Sequence, residues 1–183
     1  MTLSAVGARL SLWRPAPVVG EEPAVGIVRP HLWFDDQAAH AARFYSEVIP
    51  NTVVHSVTTA PPGTPGVVEG SEFIVELTID GMRATFLNAG PTFTLDEAFS
   101  FVLDCADQAE VDHYWETLIA DGGTPSQCGW LVDKFGVSWQ VVPVQLDDVM
   151  SRPDTEGVAR AMAEMLTMGK LDVARLEAAY RGE

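Results

Sequence analysis

The chain holds few side chains whose type and spacing suit covalent or metal chemistry. His31 sits in a β-rich stretch, Ile27 to Phe34, where its plain reading is a strand histidine with a local hydrogen bond. Cys128 follows Gln127 in a glycine-bearing turn. A nucleophilic thiol needs a base within hydrogen-bond reach and a depressed pKa. Neither His113 nor His55 stands at a spacing that joins Cys128, so a packing role is expected for it. There is no Gly-x-Ser-x-Gly elbow and no phosphate-loop pattern. Gly-x-Gly, the turn that lets a backbone approach a dinucleotide or S-adenosylmethionine closely, is absent too. What remains is polar and aromatic groups on strands. Gln140 shares a strand face with Ser138 and Val142, and both a backbone-satisfied buried amide and a pocket group stay open for it. Trp33, Trp130 and Trp139 fall in or near strands, where an indole packs a core or lines an apolar cavity and stacks on flat ligands. At least one is expected to touch a cavity, whereas Trp115 suits a helix face.

The elements that must position these groups follow from periodicity. After the stretch Ile27–Phe34, Asp35-Asp36 offers a helix N-cap, and Ala41, Phe44, Tyr45 and Val48 recur at helical spacing. Pro50-Asn51 stops that helix. Thr52 to Thr59, Ser71 to Ile79 and Met82 to Leu87 read as strands, with a loop over Ala60 to Gly66 and a two-residue hairpin at Asp80-Gly81. The order is β-α-β-β-β, and it then restarts. Ala98 to Asp104 is strand-like, Asp107 and Glu110 form a capping box, and Val111, Trp115, Leu118 and Ile119 make a helix face. Asp121-Gly122-Gly123 ends it. Strands are expected near Cys128–Val132 and Val137–Val144, with a weak one near Thr124–Ser126. Asp35 precedes Phe44-Tyr45 by about ten residues, as Asp104 precedes Tyr114-Trp115, a faint internal repeat. From Gln145 onward the pattern is helical. Val158, Met162 and Met165 lie on one stripe, and Asp172 caps a last helix with Val173, Leu176 and Tyr180 on one face.

Bulk properties narrow the partners. The chain has 183 residues, 47 % of them apolar, enough for one domain with a real core and an extension. No apolar run is long enough to span a bilayer. The net charge of −15 repels phosphate backbones and anionic lipids, so neither nucleic acid nor a membrane is an expected partner. Two cysteines are too few for a disulfide scaffold and point to a reduced, cytoplasmic protein. Residues 1–26 are Pro-rich and broken by Arg9 and Arg14, a poor signal peptide and more plausible as a loose tail or as upstream sequence from an early start codon.

Four blocks carry a family resemblance. They are His31-Leu32-Trp33-Phe34-Asp35 before a Phe-Tyr helix, Leu87 to Pro91, Glu97 to Val102, and Gln127 to Pro143. Together they resemble the PhnB-like group, often labelled 3-demethylubiquinone-9 3-methyltransferase, of the vicinal-oxygen-chelate (glyoxalase/bleomycin-resistance/dioxygenase) superfamily. The resemblance implies an α+β fold of two βαβββ modules, often assembled as a homodimer. The expected division is a tail over 1–26, a glyoxalase-like domain over 27–144 with modules 27–90 and 97–144, and a helical extension over 145–183.

Superfamily enzymes resemble one another in holding a divalent metal on inward strand faces with His, Gln and Glu. By that comparison Gln140 stands where a glutamate usually follows the Asp133…Gly136 turn, and Ser100 stands where a histidine often sits. Counting back from Phe44-Tyr45 puts Pro30 at the remaining position and His31 on the opposite face. On the fourth strand only Asn88 is a candidate. The metal set is eroded, leaving His31 and Gln140 as weak ligands, and no cofactor is expected with it. The expectation is therefore a protein that binds a small organic ligand in a cavity lined by Asn88, Ser100, Gln140, Trp130 and Trp33. A metal-dependent glyoxalase- or dioxygenase-type enzyme is the alternative. Methyl transfer, despite the label, conflicts with the missing glycine turn.

Overall fold

A computed structural model describes residues 26–183; the expected N-terminal tail falls almost wholly outside them. The first half contains β1 (His31–Phe34), α1 (Ala38–Val48), β2 (Val53–Thr59), β3 (Glu72–Ile79) and β4 (Met82–Asn88). The second repeats the order with β5 (Phe101–Cys105), α2 (Gln108–Ile119), β6 (Thr124–Pro125), β7 (Trp130–Val132) and β8 (Ser138–Pro143). Three helices follow: α3 (Gln145–Met150), α4 (Thr155–Met165) and α5 (Val173–Arg181). Each half folds into a four-stranded mixed sheet, ordered β1-β4-β3-β2 and β5-β8-β7-β6. The first strand of each runs parallel to the last. These are the two equivalent βαβββ modules that the repeat suggested.

Alternation along the strands separates two faces of each sheet. In the first sheet Leu32, Phe34, Val75, Leu77, Ala84 and Phe86 are buried and lie under α1. Four buried alanines, Ala38, Ala39, Ala41 and Ala42, let that helix approach the sheet closely. Phe44 and Val48, expected on the same buried face, are only half-buried against it. In the second sheet Phe101, Cys105, Leu131, Trp139 and Val141 face α2, which contributes Val111, Trp115 and Leu118. The two helix-covered faces share one continuous core. Tyr45 of α1 reaches into it beside Trp139, with ring centroids 5.2 Å apart.

Local signals mostly act as their chemistry dictates. Asp80 and Gly81 both have positive φ, 42° and 81°, as a two-residue hairpin requires. Asp107 accepts from the Glu110 backbone N–H, while the Glu110 carboxylate accepts from the Ala106 N–H, one residue earlier than a strict capping box. Asp172 caps α5 through the Arg175 N–H. Three expectations need correction. Asp35-Asp36 does not cap α1: the N-cap position is Gln37, which makes no side-chain cap. The β5 strand starts at Phe101 and not at Ala98, because residues 96–99 turn, with the Asp96 carboxylate accepting from the Ala98 N–H. Met162 does not join the packed stripe of α4; it is exposed, and Gly157 and Ala161 are the buried positions. At Gly157 a Cβ would lie 2.8 Å from the Tyr180 ring, so α4 and α5 touch through a side-chain-free surface.

The C-terminal helices close a second, smaller cluster of Met168, Leu171 and Leu176 against Val142 and Leu146. The chain between α4 and α5 is stitched to the turn before β7: Cys128 and Gly129 donate their N–H groups to the carbonyls of Met168 and Gly169. No helix among the described residues is long and apolar enough to cross a membrane.

Candidate functional site

The sheet faces turned away from α1 and α2 carry the polar groups that the core cannot hold. On the second sheet, Gln140 of β8 lies opposite Val102 of β5 and Trp130 of β7, all on this open face. The Gln140 amide donates through Nε2 to Ser100 Oγ at 2.9 Å. Ser100, Gln140 and Trp130 are thus brought together, each half-buried. Beside them Val102, on the edge strand β5, is 53 % exposed.

On the first sheet the open face holds His31, Trp33, Thr85, Leu87, Ile74, Glu76 and Thr78 by register. Trp33 is held in place: its indole N–H donates to the Gly90 carbonyl at 2.8 Å, and Phe93 packs edge-on at 5.0 Å. His31 pairs in register with Thr85 and so shares the face of Trp33. The strand-face assignment expected for Pro30 and His31 is therefore reversed. The register counted from the Phe-Tyr helix was one residue out.

Asn88 sits on the other side. It aligns with Phe34, faces α1, and is buried. Its Oδ1 accepts from the Ala38 N–H at 2.7 Å, and its Nδ2 donates to the Glu72 carbonyl at 3.0 Å. Asn88 supplies the helix cap that Asp35 and Asp36 do not. It positions α1 and is not grouped with Ser100, Gln140 and Trp130.

Sequence reasoning passed over two polar constellations. The first is on the open face of the first sheet: Arg29 Nε donates to Thr85 Oγ1, whose hydroxyl donates to Glu76, with Arg29 also paired to Glu76 at 3.5 Å. Its signal was the single charged residue inside the alternating run Phe73–Ile79. The second joins the modules. Asp133, buried in the β7–β8 turn, accepts from the Tyr45 hydroxyl at 2.5 Å, from Trp139 Nε1 at 2.9 Å, and from the backbone N–H groups of Phe135 and Val137. Burial pushes the Asp133 carboxyl up from its ordinary value, while the Tyr45, Trp139 and backbone donors pull the other way. Burial first, and then the Asp133 charge, pushes the Tyr45 phenol well above its ordinary value.

The donor set fits a divalent metal poorly. Among the described residues no three His, Cys, Asp or Glu side chains lie together in a way that could hold one. Gln140 offers one neutral amide oxygen beside a serine, and His31 is exposed on the other sheet. The thiols are no better placed for nucleophilic work. Cys105 is buried, its thiol pushed up to about 12 by burial and by Glu110, Asp104 and Asp107. Cys128 turns its sulfur to the Met165 carbonyl at 3.6 Å.

Two βαβββ modules in this order make up the glyoxalase-like, vicinal-oxygen-chelate fold. The sequence profile of one branch, 3-demethylubiquinone-9 3-methyltransferase, matches residues 27–142, and the chain belongs to that family. Solved structures with the same fold include a putative 3-demethylubiquinone-9 3-methyltransferase, PhnB protein, from Bacillus cereus, at 24 % identity and TM-score 0.59, covering 65 % of this chain and all of that one. A protein from Pseudomonas aeruginosa matches at 18 % identity and TM-score 0.53, covering 63 % and 96 % of the two chains. No curated protein matches the chain.

Proposed function

We propose that the protein binds a small organic molecule on the open face of its second sheet, over a floor made by Ser100, Trp130 and Gln140, and that it works as a cytoplasmic homodimer. The observation that carries this reading is the contrast between the faces. The helix-covered faces bury one common core, whereas the inner face keeps Val102 exposed beside an amide, a hydroxyl and an indole. An exposed apolar patch rimmed by hydrogen-bonding groups suits an organic ligand. A second copy, brought against the first by a twofold axis, would roof that floor, and the open face bearing Trp33 would supply a wall. The floor groups hold and orient; none is a nucleophile paired with a base, so retention of a ligand is favoured over turnover. Asn88 contributes by placing α1. The charge of −15 makes nucleic acid an unfavourable partner.

Native mass spectrometry of freshly purified protein tests the reading. A retained small molecule on a dimer, lost in Gln140→Ala and Trp130→Ala, is the expected result. A bare monomer, or retention indifferent to both substitutions, would sink it. Tight uptake of nickel, manganese, iron or zinc that disappears in Gln140→Ala would replace it with a metal-dependent enzyme.

A further inference from the structure

The open face of the first sheet is banded, and its bands differ in chemistry. Across β3, β4 and β1 one register row holds Ile74, Leu87 and Trp33, all half-buried. The Trp33 indole is fixed there by the Gly90 carbonyl and by the edge of Phe93, itself 63 % exposed. The next row on that face is polar, with Glu76, Thr85 and His31. The row beyond it pairs Thr78 with Arg83, and His55 joins it through a 2.7 Å hydrogen bond to Thr78. Arg29, two residues before His31, reaches the same face by donating to Thr85 Oγ1. An apolar strip thus lies beside a strip that carries two guanidinium groups and one carboxylate.

Arg83 is the informative residue. The chain has 26 acidic residues against 11 basic ones, so a cation readily finds a carboxylate. Among the described residues every other lysine and arginine has one, and Arg83 alone has none. We propose that this face binds an elongated organic anion, its apolar body over Ile74, Leu87 and Trp33 and its carboxylate held by Arg83. A free guanidinium presents a planar fork of N–H donors that matches a carboxylate. Glu76 is already engaged by Arg29 and Thr85, so it offers little to an ammonium group. The charge of −15 repels anions at long range, but salt screens that field beyond ~8 Å, and the local row then decides the sign. Length follows from the strand. Leu87 and Arg83 stand four residues apart on β4, roughly 13 Å at ~3.3 Å per residue, a span that the long arginine side chain shortens. A molecule with several carbons between tail and head fits that span, and a compact one does not. This site lies on the first sheet and does not depend on the floor of Ser100, Trp130 and Gln140.

Calorimetric titration of the full chain with octanoate tests the proposal, with 1-octanol and octylamine as comparators of equal chain length. Octanoate is expected to saturate and to bind more tightly than either comparator, although the overall charge favours the amine. Arg83→Gln should weaken octanoate about fivefold, the most that an exposed ion pair supplies, and leave octanol unchanged. That variant should keep the parent's Tm, since Arg83 is exposed and makes no ion pair among the described residues. Phe93→Ala should weaken octanoate and octanol alike. The proposal is overturned if octanoate does not saturate, if octylamine binds as tightly, or if Arg83→Gln binds octanoate like the parent. It is also overturned if Phe93→Ala changes neither ligand, or if Gln140→Ala abolishes octanoate binding and so places the anion on the second sheet.

Discussion

Tyr45→Phe removes one oxygen atom at the junction of the modules and leaves the rest of the ring in place. The phenol of Tyr45 donates to Asp133 at 2.5 Å, while its ring packs against Phe86, Phe135 and Trp139. The substitution keeps those aromatic contacts and opens no cavity. It deletes one hydrogen bond to a charged acceptor, which is worth about 1.5–3 kcal/mol. Asp133 keeps Trp139 Nε1 and two backbone donors, so no group is orphaned, and the lower half of that range is expected. At about 2 kcal/mol, and ~2–4 °C per kcal/mol for a chain of this size, Tm falls by ~4–8 °C. The pH dependence carries a sign. The folded-state pKa of Asp133 lies above its ordinary value of 3.8. Its protonated form therefore gives stability that is present in acid and lost as pH rises through the folded value. Losing the Tyr45 donor raises that value further, so the gap between parent and variant widens from acid towards neutral pH. Thermal unfolding followed by circular dichroism in acid and at pH 7 reads both effects. An unchanged Tm, or a gap that narrows towards neutrality, would refute the reasoning.

Other substitutions separate the remaining roles. Asp133→Asn keeps an acceptor for the backbone N–H groups of Phe135 and Val137 but turns an amide N–H₂ towards Trp139 Nε1, leaving a buried donor unmet; a loss of about 1–3 kcal/mol in urea unfolding is expected. Asn88→Ala strips the cap from Ala38 and frees the Glu72 carbonyl. It should cost about 1–2 kcal/mol and increase amide exchange at the start of α1, with ligand retention on the second sheet unaffected. In native protein, Ellman's reagent should label Cys128 well before Cys105, whose thiol is buried and pushed up to about 12; equal rates would contradict the burial assigned to Cys105.

Much of the scaffold was legible in the order of residues, and the reasons are local. Hydrophobic alternation marks β3 and β4, the Asp80-Gly81 pair demands positive φ, and Asp107 and Asp172 cap the helices that follow them. These signals act within a few residues, so no distant contact can hide them. The repeated β-α-β-β-β order followed from the same local evidence. The candidate site was legible only in part. Ser100 and Gln140 meet because β5 lies beside β8, a pairing that only the tertiary structure shows.

The rest depended on partners far away in the chain. Asp35 and Asp36 look like a helix cap from the sequence, yet Asn88 takes that role from fifty residues away, because the end of β4 lies under the first turn of α1. His31 changed faces because strand register has a period of two, and pairing with β4 set it where counting from a helix could not. The Tyr45–Asp133 bond exists only where the two modules meet. Sequence by itself determined which segments would be strands and helices, since those preferences are set by short-range sterics and periodicity. Tertiary structure alone decided which face each polar side chain occupies and which one is left without a partner, since both follow from packing between residues that the chain order keeps apart.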